Sequence, residues 1–150
     1  MIVYRITGKK NSSDISGTGA ALFGGRWNKK GSAVLYTGES KEIALLETIV
    51  HTPPMIMPDL DILTIEIPDD SITEIKVKDL PVNWIDYPAP SILSEIGEDW
   101  IRNASTVALK VPSCIIHSAR NYILNCRHSD YGRVKILEHR NFHFDSRLNK

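Results

Sequence analysis

The stretch from Gly24 to Glu47 constrains this chain more than any other. Gly24 and Gly25 admit positive φ and let another group come close to the backbone. Arg26, Trp27 and Asn28 follow, and Lys29-Lys30-Gly31 closes the turn. Ala33 to Thr37 reads as a short strand that carries Tyr36 near its end, and Gly38 breaks it. Ser40 supplies the oxygen of an N-cap, and Glu42 sits in the positive first turn of a helix. Ile43, Leu46 and Val50 recur at helical spacing, which predicts a helix from Ser40 to His51 with those three as its buried stripe. Glu47, four residues after Ile43 and three before Val50, lies on the edge of that stripe.

Arg26, Tyr36 and Glu47 are the side chains needed to hold a phosphate, a ring and a ribose hydroxyl. The planar guanidinium of Arg26 can grip two phosphate oxygens at once, which a lysine cannot. Trp27 reads as a core anchor. Tyr36 is either buried with its hydroxyl satisfied or offers its face to a flat ring. Two readings of Glu47 stand together. At the stripe edge its carboxylate loses hydration and needs a partner, either an arginine such as Arg26 or a ligand in a cleft.

The rest of the chain supplies the frame. Ile2 to Ile6 alternates and reads as a first strand, with Arg5 on the face opposite Tyr4. Arg5 is a solvated strand arginine or a second phosphate contact. Asn11 to Gly19 is polar and reads as a loop. Ile62 to Ile67 is a strand stopped by Pro68, and Ile72 to Val77 is read as its neighbour. Residues 79 to 90 carry Pro81, Pro88 and Pro90 and form an irregular connection that Trp84 and Tyr87 would pin to the core. Ser91 to Arg102 is a helix in which Ile92, Ile96 and Trp100 recur every four residues. Thr106 to Val111 is a strand ended by Pro112, and Ser113 stands just past its end, where site residues often stand. Cys114 reads as a small core residue. Asn121 to Asn125 is a strand leading to His128, a loop histidine that reads as exposed. Val134 to Leu137 is a last strand, and Asn141 to Lys150 an edge segment or tail.

Length and composition set outer limits. With 150 residues, one domain with one core over 1–150 is expected. The 18 basic and 18 acidic residues cancel, so the global charge gives no reason to expect nucleic acid or an anionic membrane as partner. No apolar run approaches the roughly 20 residues that span a bilayer, and the N-terminus lacks the apolar stretch of a signal peptide. Cys114 and Cys126 alone do not make a disulfide framework, which points to a reducing cytoplasm. No metal-ligand spacing is present, so no metal is expected.

Taken together, Tyr4-Arg5-Ile6, Gly24-Gly25-Arg26-Trp27-Asn28, Leu35-Tyr36-Thr37, Ala44-Leu45-Leu46-Glu47, Val111-Pro112-Ser113 and Asn121-Tyr122-Ile123-Leu124-Asn125 before His128 and Asp130 resemble the RES-domain family. The family's closing loop usually has prolines flanking the histidine, where this chain has Cys126 and Ser129. The resemblance implies an α+β domain similar to ADP-ribosyltransferases, a compact fold around antiparallel strands with a few helices. It implies the toxin of a bacterial toxin–antitoxin pair that degrades NAD. NAD would be the substrate rather than a resident cofactor, with water or inorganic phosphate as the attacking group. Its partner would be an antitoxin with a helix-turn-helix DNA-binding domain, in a complex that leaves room for a toxin homodimer. Carried over position by position, Arg26, Tyr36, Glu47 and Ser113 would line the NAD site, joined by Arg5 and Asn125. An ADP-ribosyltransferase acting on a macromolecule would use nearly the same cradle, and a non-catalytic binding module is the third reading.

Overall fold

The computed structural model describes residues 1–53 and 59–148. Seven strands form one sheet: β1 (Ile2–Gly8), β2 (Val34–Gly38), β3 (Leu60–Glu66), β4 (Ile72–Glu74), β5 (Ala108–Pro112), β6 (Arg120–Asn125) and β7 (Lys135–Phe142). Their order is β4-β5-β6-β2-β1-β3-β7, and every pairing is antiparallel except β4 with β5. Three helices complete an α+β domain: α1 (Thr18–Phe23), α2 (Lys41–His51) and α3 (Ser91–Asn103).

The ladder has one weak place. β1 and β3 pair along seven residues, but β1 and β2 share the single register pair Tyr4 with Gly38. The sheet therefore opens between β1 and β2. On one face, Val3, Leu35, Leu63, Ile65, Tyr122 and Leu124 form a core. On the other, Val34, Leu109, Val111 and Ile123 pack against Trp27, Trp84 and the α3 residues Leu93 and Trp100. α2 lies beside that second core, with Ala44 against Ile6, Leu60 and Phe144.

Two glycines fix how closely the helices approach. A Cβ on Gly38 would come within 3.1 Å of the Ala44 nitrogen and the Ile43 side chain, so the bare backbone lets α2 settle on β2. A Cβ on Gly97 would lie 1.7 Å from the Trp27 carbonyl oxygen, so α3 can rest on the Gly25–Asn28 turn only through a glycine. Glu98 fastens the same contact, accepting from the Lys29 amide at 2.7 Å and from the Ser32 hydroxyl at 2.8 Å.

Several sequence expectations need correction. β4 runs parallel to β5 at the far edge and does not neighbour β3, because only Ile72–Glu74 stays extended before the chain turns. Within the segment read as a loop, residues 18 and 19 already belong to α1, whose six residues are too few to show a period. Ser40 does cap α2 by accepting from the Ile43 amide, but the buried pair is Ile43 and Ala44, while Val50 is 59% exposed. α3 buries Leu93, Gly97 and Trp100 and leaves Ile92 exposed, since the line of contact passes through the glycine. Trp84 is buried as expected, but Tyr87 points outward at 89% exposure. The last strand runs on to Phe142, with Phe144 buried beyond it. The last two residues of the segment expected from Asn141 to Lys150 lie outside the described residues.

Candidate active site

Glu47 sits on the side of α2 that overhangs the ends of β5 and β6. Its Oε1 accepts from the Ser113 hydroxyl at 3.2 Å and from Asn121 Nδ2 at 2.7 Å. Neither donor is charged, and no arginine pairs with this carboxylate among the described residues. No described residue bonds Oε2. The carboxylate is therefore anchored through one oxygen, and its second oxygen keeps its acceptor capacity.

Ser113 stands behind Glu47, not in front of it. It is 0% exposed, and its oxygen also accepts from the amides of Ile115 and Ile116. The expectation that it contacts a ligand directly gives way to a supporting position: a buried hydroxyl aimed at the carboxylate.

Arg26 leaves the glycine turn toward the irregular connection. Its guanidinium donates to the carbonyls of Trp84 at 2.7 Å and Asp86 at 3.1 Å. Two prongs of the fork are occupied and its remaining N–H groups are free to take an anion. Arg26 and Glu47 both lie near enough to the Cys114 thiol for their charges to be felt there. Burial pushes that thiol up, Arg26 opposes the shift and Glu47 reinforces it.

Of the two readings of Tyr36, the structure shows the satisfied hydroxyl. The hydroxyl accepts from the Trp27 amide at 3.1 Å and donates to Asn28 Oδ1 at 2.6 Å. Burial holds its proton well above the ordinary phenol range, against the pull of nearby Arg26, so it acts as a neutral post. Gly25 makes room for it: a Cβ there would lie 2.6 Å from the Tyr36 oxygen. Asn28, 1% exposed, donates to the Ala20 carbonyl and ties α1 to the turn.

Arg5 and Asn125 do not meet Glu47. Arg5 shares the sheet face of Val3, and its Nη1 donates to the Tyr36 carbonyl at 2.9 Å, where β1 and β2 have parted. Desolvation lowers its pKa, offset in part by Cys126, Tyr131 and Asp14. It braces Tyr36 through the backbone. Asn125, 2% exposed, accepts from the Arg127 amide and closes the turn after β6. It stands opposite Val34, whereas Asn121 stands opposite Gly38, under α2. Four strand residues separate the two asparagines by roughly 13 Å. Asn121 is thus the residue sequence reading missed. The signal was Gly38, against which the start of α2 packs. His128 is also remote: its Nδ1 accepts from the Asp130 amide and its Nε2 reaches the Ala104 carbonyl, so it pins its own loop to the end of α3.

The chain is similar to known proteins along nearly its whole length. A model of the RES domain matches residues 2–145. The chain is 36% identical over 151 residues to a protein of Yersinia enterocolitica called Toxin Res, covering 99% of both. It is 37% identical over 154 residues to a Toxin Res of Photorhabdus laumondii, covering 100% of this chain and 98% of that one. It is 34% identical over 141 residues to a Prs ADP-ribosylating toxin of a Sphingobium strain, covering 91% and 88%. The fold matches a chain in the crystal structure of the M. tuberculosis MbcT–MbcA toxin–antitoxin complex, with a TM-score of 0.79, 18% identity, and coverage of 95% and 84%. With the sheet, the glycine turn and the held glutamate all in place, the chain belongs to the RES domain family.

Proposed function

We propose that this protein is the toxin of a toxin–antitoxin pair and that it cleaves the bond between nicotinamide and ribose in NAD. The observation that carries the reading is the Glu47 carboxylate, clamped through Oε1 by Ser113 and Asn121, with Oε2 bonded by no described residue. Cleavage of the glycosidic bond sends its electron pair to the nicotinamide nitrogen, which leaves neutral, and positive charge builds on the ribose. No strong acid is required. A preorganised carboxylate that accepts from a ribose hydroxyl stabilises that charge without having to reorganise. The free N–H groups of Arg26 bind the pyrophosphate of NAD, or an attacking phosphate. Water or phosphate then bonds to the ribose carbon and gives up a proton to solvent or buffer.

Exposed apolar side chains on the segments next to Arg26 form a border that a protein partner can cover. Phe23 is 79% exposed three residues before Arg26, and Val82 and Tyr87 are 99% and 89% exposed on the connection that Arg26 holds. An antitoxin segment seated there, with an acidic group on Arg26, would silence the enzyme. The names of the relatives support a toxin, and the helix-turn-helix nature of the partner rests on the family resemblance alone. The same border suits a second reading, transfer of ADP-ribose to a protein.

Products decide between them. Incubation of the full chain with NAD, with and without phosphate, is expected to release nicotinamide together with ADP-ribose or its phosphate ester. Nicotinamide release that requires an added protein, with ADP-ribose found on that protein, would favour the transferase. Retention of all NAD by a folded protein would sink both.

A further inference from the structure

We infer that Asn121 is a positioning residue that sets which oxygen of Glu47 faces the substrate; this rests on the NAD reading for its catalytic consequence but not for its structural one. Its Nδ2 makes the shorter of the two bonds to Glu47 Oε1, 2.7 Å against 3.2 Å from Ser113. Both donors converge on the same oxygen, which fixes the rotation of the carboxylate and leaves Oε2 without a partner among the described residues. The direction of the amide follows from chemistry, since only its NH₂ can donate to a carboxylate.

Asn121 holds this pose at the expense of its own oxygen. Among the described residues, Asn121 Oδ1 and Arg5 Nε are buried side-chain atoms without a hydrogen-bond partner. A buried acceptor left unpaired is unfavourable for folding, so stability does not account for an asparagine here. The register accounts for it. Asn121 stands opposite Gly38, against which the start of α2 packs, and an amide at this position reaches Glu47 directly. The Cys114 thiol, which feels the charges of both Arg26 and Glu47, lies nearby, and the His51 ring contacts the Glu47 carbonyl one turn along α2. None of them bonds the carboxylate.

Asn121→Asp and Asn121→Ala separate positioning from folding. In the full-length, ligand-free protein, the Glu47 carboxyl is followed by carbon NMR as pH is changed. With aspartate at 121, two carboxyls share the site and titrate as a pair, one step rising by roughly one unit or more above the ordinary carboxylate range. Below that step the protonated partner donates as the amide did; above it two like charges repel. NAD cleavage by Asn121→Asp is therefore expected to fall as pH rises through the step, a limb the parent protein lacks. Asn121→Ala is expected to lower kcat about tenfold or more with KM changed less than about threefold, as for an interaction felt in the transition state. An unchanged Glu47 titration in Asn121→Asp overturns the inference whatever the activity. A raised KM with intact kcat in Asn121→Ala overturns it too, as a ground-state contact. If the parent protein cleaves no NAD, the functional reading fails and the titration alone decides whether Asn121 holds Glu47.

Discussion

Glu47 and Asp61 are both carboxylates bonded to a serine hydroxyl and to one further side chain, and both use a single oxygen for it. At Asp61 that oxygen accepts from Ser12 Oγ at 2.7 Å and lies 2.7 Å from His139 Nε2, and Ser12 and His139 touch each other at 2.9 Å. The serine and the carboxylate meet the same ring nitrogen. A relay would need them on opposite nitrogens, so the trio has the residues of a hydrolase and none of its geometry. Asp61 is only 4% exposed, and its contacts tie the chain after β1 to β3 and β7. Glu47 is half-buried and held by neutral groups. Both carboxylates leave one oxygen over, so what separates the two corners is burial and the partner: Asp61 is closed in against a histidine, while Glu47 is half-exposed and held by neutral donors.

The sharpest test exchanges each carboxylate for its amide. Glu47→Gln keeps shape and loses charge, and the rate of NAD cleavage is expected to fall ~10²-fold or more, the usual effect of losing one preorganised electrostatic contact. Its melting temperature should stay close to that of the parent. Asp61→Asn should do the reverse, lowering the melting temperature while the folded fraction keeps its turnover. Near-normal turnover in Glu47→Gln would make the two corners alike and both structural.

A smaller effect is expected at Arg26→Lys. A lysine can reach one of the carbonyls of Trp84 and Asp86 but cannot hold both and still present a fork to phosphate. KM for NAD should rise about tenfold with kcat less affected, if the phosphate grip is equal in ground and transition states. Steady-state kinetics over a range of NAD and phosphate check this. Unchanged parameters would leave Arg26 as a strut for the connection.

These contrasts also show what the sequence could reveal. The strand, N-cap and helix from Val34 to His51 were legible because cap chemistry and a glycine breaker are local. The edge position of Glu47 was legible too. The phase of the stripe was not: Leu46 and Val50 are apolar, yet α2 rests on β1 through Ala44 and through Thr48, whose hydroxyl donates to the Ile6 carbonyl. Hydropathy cannot tell which apolar residues a tertiary contact will leave outside. Asn121 and Asn125 point to one sheet face by their spacing, and only the crossing of α2 over Gly38 selects the first. β4 failed for a related reason. Nothing local in Ile72–Glu74 says that its partner lies more than thirty residues ahead in β5.

The mildest prediction uses pH to read the closed corner alone. Hydrogen bonds from His139 and Ser12 hold Asp61 below the ordinary carboxylate range. A carboxylate whose folded value is depressed binds its proton more readily in the unfolded chain, so unfolding takes up protons in the acid range. The stabilisation is complete above the unfolded value, about 3.9, and is lost as pH falls through the depressed folded value. Melting temperature measured downward from neutral pH should therefore fall in the acid range, and the fall should be shallower in Asp61→Asn, which has no carboxyl to protonate at that position. If the Asp61→Asn and parent curves run parallel from neutral pH into acid, the Asp61 corner does not contribute through its charge, and the distinction between the two carboxylates rests on the kinetics of Glu47 alone.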